Sequence, residues 1–348
     1  MSCFKDRVEQ FYARFSREES ELRVLMDSGE MEPASRRMRE LLQPVLGDLP
    51  FQFYKKPGCY ILECSTMLDS GKKIPCFYFC DCLPEKLRKH WTFYYYHPAF
   101  RGNLTIGDTM FSPQDFRIIP SVNEKPHKID LKILLTEKFA KVGDEDRFAV
   151  TYMMLMDYLG EIASEAYAGQ ISFSKKSRAF QEALSMEELR TFLQHTIQSK
   201  GWVKPSDIRL IADSFQLKNR NRELRRDILH GISYSLDLLN EEEKPLEDRP
   251  GTQYILSCGI RYGSLVLPRG KNTEEAVRRE QEKWEKRLSE IFSESRSGTI
   301  VTSSVGNTYC YLDFFAYDDE TYRLVGREAA GAEGALSVLD LGTFQAPS

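Results

Sequence analysis

Long hydrophobic runs are missing from this chain. The longest apolar stretch, FAVTYMMLM at 148–156, ends at Asp157 and is well short of the roughly 18–20 residues that cross a bilayer as a helix. No membrane span is expected. The opening MSCFKDRVEQFYARFSREES is charged from its fifth residue and lacks the apolar segment of roughly 7–15 residues that a secretory signal requires, so the sequence reads as cytoplasmic. Histidine is sparse, five in 348 residues. His97 before Pro98 reads as a turn residue, and His127, His195 and His230 have no neighbours at metal-ligand or triad spacing. A large charge excess is missing too. Lys and Arg total 48 against 52 Asp and Glu, a formal charge of −4, so nothing draws the whole chain to nucleic acid or to an anionic membrane. No G-x-G-x-x-G, phosphate loop, G-x-S-x-G elbow or H-E-x-x-H occurs, which weakens an enzymatic reading without removing it.

What is present is an ordinary globular composition, 41% hydrophobic and 29% charged, in a chain longer than the roughly 250–300 residues that usually share one core. Two domains are expected, 1–140 and 141–348, in an α+β protein whose antiparallel or mixed sheets are covered by helices. Residues 4–46 have the spacing of two helices. FQFY, YILEC and IPCFYFC then read as three strands of an antiparallel meander, separated by KPG and DSGKK. LPEKLRKHW reads as a short helix, and FRII and IDLKILL as strands. One long helix is expected from Asp144 to Ala168, and a second over SMEELRTFLQHTI, where Ser185 and Glu188 form a capping box. IRLIAD and residues 252–267 read as strand material, and Thr273 caps a charged helix over 273–292. Gly306-Asn307 turns a hairpin between GTIVTSSV and TYCYLDFFAYD, and a helix and a last strand near LSVLDL follow. The order strand, helix, strand, strand, helix, strand over 252–341 predicts a ferredoxin-like, split β-α-β subdomain.

Eight cysteines in a chain read as cytoplasmic are expected to be reduced thiols. Three of them crowd into CFYFCDCLPEKLRKHW. On a strand, Cys76 and Cys82 would lie about 20 Å apart, too far for one ion. Only Cys80, Cys82 and His90 remain conceivable ligands, so no metal and no cofactor are expected. Asp157, Glu161 and Glu165 recur every four residues, a stripe on one helix face that reads as solvated. Asp115, Asp130 and Lys132 have the residue types of a metal-dependent nuclease or hydrolase, in which acids hold the ion and a lysine assists the activated water. The pattern is short and degenerate. The basic run KNRNRELRR at 218–226 lacks the interleaved aromatics of a nucleic-acid groove, and nucleic-acid binding is not expected. In the last hairpin, alternation puts Tyr309, Tyr311, Asp313, Phe315 and Tyr317 on one face. Tyrosine offers large apolar area with a polar tip and little entropy to lose, so this face is the candidate binding surface.

LPEKLRKHW, DEDRFAVTYMMLMDYLGEIASEAY and SSVGNTYCYLDFFAYDDETY together resemble a family of intracellular bacterial hypothetical proteins, over most of the chain. The resemblance implies no activity, cofactor or catalytic residue. The function expected from the residues is non-catalytic recognition of a protein partner or of a second copy of the chain. The alternative is a metal-dependent hydrolase or nuclease.

Overall fold

The computed structural model describes all residues except 1, 67–68, 101, 107, 176–180, 271–272, 332–336 and 345–348. The chain is α+β and divides into two compact units, Met1–Tyr95 with Ala212–Ser348, and Tyr96–Ile211. The second unit is thus an insertion in the sequence of the first. Among the described residues no helix is long and apolar enough to cross a membrane.

The first unit begins with α1 (Phe4–Asp27) and α2 (Met31–Leu46). Phe4, Val8, Phe11 and Phe15 are all buried, as their spacing of three and four requires of one helix face. Gly29, at φ +80°, makes the turn between the two helices, a backbone state that favours glycine. Next come β1 (Phe51–Lys56) and β2 (Cys59–Cys64), paired antiparallel from Phe51↔Cys64 to Lys56↔Cys59. The third expected strand of this meander is a helix, α3 (Ser70–Asp81), capped by Asp69, whose Oδ1 accepts the Gly71 N–H at 2.9 Å. A short helix α4 (Glu85–Arg88) leads into β3 (Trp91–Tyr94), which lies parallel to β2. Parallel pairing needs a crossover, and α3 supplies it.

The second unit contains the hairpin β4 (Leu104–Ile106) and β5 (Thr109–Phe111), then β6 (Arg117–Asn123) antiparallel to β7 (Lys128–Leu134). The long helix expected over 144–168 is broken into α5 (Asp144–Leu159) and α6 (Glu161–Tyr167) by Gly160 at φ +82°. Then β8 (Ala168–Ser174) pairs parallel to β7. The boundary expected at 140/141 therefore falls inside this unit, between two paired strands. Helix α7 (Met186–Lys200) has the expected capping box at Ser185 and Glu188. Phe116, Ile118, Ile133, Met154, Leu155 and Leu189 are among its core residues.

Back in the first unit, β9 (Asp213–Gln216), β10 (Ile228–Ser233), α8 (Leu236–Glu241), α9 (Pro250–Ser257) and β11 (Arg261–Pro268) precede α10 (Glu274–Ser295). The strand expected across 252–267 is therefore half helix, with Pro250 at a first helical position, where its missing N–H is harmless. The hairpin β12 (Gly298–Gly306) and β13 (Tyr309–Ala316), α11 (Asp319–Gly331) and β14 (Ser337–Asp340) complete the chain. One six-stranded sheet runs β14-β11-β13-β12-β10-β9. Leu265, Leu267, Leu312 and Phe314 on one face pack with Trp284 and Leu288 of α10 and Val325 of α11.

Candidate functional site

The expected binding face of β13 is internal. Tyr311, Asp313 and Phe315 have no exposed surface, Tyr317 is 4% exposed and Tyr309 half-buried. Helices α10 and α11 cover the opposite face of the sheet. This one is closed by residues 217–227, by α8 and by α1, where the Phe4 and Tyr317 rings lie 6.1 Å apart. These five residues therefore form no open recognition surface. Their polar tips are spent on an internal network.

Arg225 is its centre. Its guanidinium reaches both oxygens of Asp313, at 2.7 and 3.1 Å, and both of Glu242, at 2.8 and 2.5 Å. It also lies 4.8 Å from the centre of the Tyr311 ring. Burial opposes its charge, but Asp313 and Glu242 more than offset that and hold it well above the ordinary arginine range. Burial also lifts the Glu242 carboxyl, against the pull of Arg225, and the Tyr262 hydroxyl donates to it at 3.2 Å. The Arg225 backbone sits in the left-handed region, φ +67°, a strained state for a residue with a Cβ. Its N–H donates to the Tyr311 hydroxyl at 2.8 Å. That hydroxyl donates in turn to Asp227 at 2.5 Å, whose carboxylate also accepts the Thr308 and Tyr309 N–H groups. The Arg225, Asp313, Glu242, Asp227 and Tyr311 side chains are buried, so the network positions its neighbours rather than meeting a ligand.

What it positions is the far edge of the sheet. Asn307 Nδ2 donates to the Asn221 carbonyl at 2.7 Å, and the Thr308 hydroxyl to the Arg222 carbonyl at 3.2 Å. The basic run is thereby strapped to the β12–β13 turn, with Lys218, Arg220 and Arg222 exposed. Beside it, the Leu217 N–H donates to the Leu229 carbonyl at 2.6 Å, and Phe215 pairs with Gly231. By antiparallel alternation the N–H and C=O of Ser214 and Gln216 point outward from β9, the last strand of the sheet. Ile232 stands opposite small Ser214 and is 53% exposed, Tyr234 is 48% and Leu217 47%. Sequence reading missed this edge because Ile232 lies in a short strand, with Tyr234 just beyond its end, and no turn signal marks it.

The remaining candidates are dispersed or already engaged. Asp115 closes a capping box with Ser112 and takes an ion pair from Lys138 at 2.8 Å, which holds its carboxyl below the ordinary range despite partial burial. Asp130 accepts the Gln170 N–H at 2.8 Å and pairs with Ser121 across β6. Asp115 precedes β6, so more than about 13 Å of strand separates the two acids, and Lys132 shares only Asp130's face. The structure does not bring this trio together. Asp157 and Glu161 do not form a solvated stripe. The Asp157 carboxylate contacts His97 Nε2 at 2.7 Å and that of Glu161 accepts the His97 N–H at 2.7 Å, made possible by the break at Gly160.

The helical form of α3 also regroups the thiols. Cys76 and Cys80 lie one turn apart and both donate toward Cys64 at the end of β2, which lowers Cys64 while burial raises Cys76. Cys82 is half-buried and His90 exposed. Among the described residues no group of three or more His, Cys, Asp or Glu side chains is arranged to hold a metal ion. No family model, curated protein or solved structure matches this chain.

Proposed function

We propose that this chain is a non-catalytic interaction protein of the cytoplasm that recognises an extended segment of a protein partner by adding it as a strand beside β9. The observation that carries the reading is the built edge: outward backbone groups on Ser214 and Gln216, exposed Ile232 opposite a serine with exposed Tyr234 beyond it, and a strapped row of three exposed cations at one end. Strand addition draws its affinity from main-chain hydrogen bonds and its selectivity from alternate side chains. A partner apolar residue would reach over Ser214 to Ile232, and acidic residues would meet Lys218, Arg220 and Arg222. The path β11-α10-β12-β13-α11-β14, with its order β14-β11-β13-β12, supports a ferredoxin-like subdomain over 252–341 that β10 and β9 extend. Membership of the bacterial family that the chain resembles is part of the same proposal.

The test is selection of a displayed random-peptide library on the full chain, followed by binding of the selected peptides to two variants. The selected sequences should alternate apolar residues and carry acids at one end. Ser214→Pro removes an outward N–H at an edge position where proline is tolerated, and Ile232→Lys charges the apolar spot. Each should weaken binding on the order of tenfold or more while the thermal midpoint stays put. Peptides that bind both variants as well as the parent chain would sink the proposal.

A further inference from the structure

The second unit holds a cavity of about 300 Å³ between the end of α5, α6 and α7. Its wall is apolar, made chiefly by Leu159, Ile162, Ala163, Leu193 and Ile197. Tyr167 closes one side and is fixed there, because its hydroxyl donates to the Val203 carbonyl at 2.8 Å and its ring stacks 5.9 Å from that of Trp202. Leu159, Ile162, Ala163 and Ile197 are only half-buried, so hydrocarbon faces water in a concave site, the arrangement that favours replacing water with an apolar ligand. Among the described residues the polar members of the lining are Arg190, Gln194, Lys204 and the Tyr167 hydroxyl, with no carboxylate among them. The exposed Lys204 beside a hydrocarbon wall selects negative charge on an apolar body. The volume lies at the small end of ligand sites, roughly 300 to 1,000 Å³.

From this geometry we infer that the cavity is a binding site for a small amphiphilic carboxylate, its chain against Ile162, Ala163 and Leu193 and its carboxylate toward Lys204. The site is independent of the β9 edge: it lies wholly within the second unit, so either proposal can fail alone.

Titration calorimetry of the full chain with butyrate, hexanoate, octanoate and octanol tests it, beside Ala163→Phe, which fills the cavity, and Lys204→Glu, which reverses one charge at an exposed position. One octanoate should bind per chain, with affinity rising about fourfold per added methylene and octanol weaker by on the order of tenfold. Ala163→Phe should abolish binding, and Lys204→Glu should weaken octanoate while leaving octanol unchanged. Absence of saturable octanoate binding, equal binding of octanol, or full binding to a folded Lys204→Glu chain would each overturn the inference, the last without relying on how Ala163→Phe folds.

Discussion

Arg225→Met is the sharpest probe of the sheet edge, because methionine keeps much of the arginine stem and removes only the head that Asp313 and Glu242 share. The three side chains are 2%, 0% and 7% exposed. Without the guanidinium, two carboxylates remain in a buried site with no counter-charge beside them. Breaking a buried ion pair in this way costs about 3–5 kcal/mol, a large part of the roughly 5–15 kcal/mol that holds a typical domain. The loss should appear as a lower urea midpoint in tryptophan fluorescence, to which Trp91 and Trp284 of the first unit contribute. Replacing all three by Met, Leu and Leu should recover much of the loss, since no orphaned charge is left. Hydrogen exchange should quicken across 218–227, the segment that Arg225 and Asp227 strap down. A loss under about 1 kcal/mol at neutral pH, the worth of an exposed pair, would refute the assignment of a buried, mutually dependent triad.

Two further outcomes follow from the same unit. Gly71 meets Gly251 so closely that a Cβ on it would lie 2.4 Å from the Gly251 Cα, so Gly71→Ala must push α3 from α9 and should lower stability by about 1–3 kcal/mol in chemical denaturation; an unchanged midpoint would contradict that contact. The folded Glu242 carboxyl binds its proton more tightly than the unfolded one, since burial raises it. Its contribution is therefore fully present below the ordinary glutamate value of about 4.3 and is lost as pH rises through the raised value. Glu242→Gln should accordingly flatten the stability–pH curve above about pH 4.3, and a steeper curve would reverse the sign argued here.

Elements with one buried face were legible in the sequence. Helix α1 announced itself through Phe4, Val8, Phe11 and Phe15, α7 through Ser185 and Glu188, and the last hairpin through Gly306-Asn307. Helix α3 did not, because Ile74, Cys76, Phe77, Tyr78, Phe79 and Cys80 are buried all round, and a helix apolar on every side has no period to distinguish it from a buried strand. Asp69 was the available signal, an N-cap concealed in what reads as the turn DSGKK. Helix α9 was hidden for a similar reason, its Pro250 being a start signal with little amphipathic pattern behind it. The alternation of Tyr309 to Tyr317 was legible, but which layer covered it was not, since helices α10 and α11 have suitable faces for either side of the sheet. The edge at β9 was less legible still. It depends on Arg225, Glu242 and Asp313 meeting across as many as 88 residues of sequence, and pairings of that range leave no local trace.

The insertion of residues 96–211 into the sequence of the first unit has a consequence for the order of events during synthesis. Helix α1 is made before the inserted unit, yet its Lys5 N–H is bonded to the Tyr317 carbonyl at 3.0 Å and its Phe4 ring lies against Tyr317. Everything that the second unit needs has been translated by Ile211. At about 5–20 residues per second, the amphipathic face of α1 must wait several seconds longer than the inserted unit for its last neighbours. The buried face of α1, with Phe4, Val8, Phe11 and Phe15, is thus without its last neighbours for longer than any segment of the inserted unit.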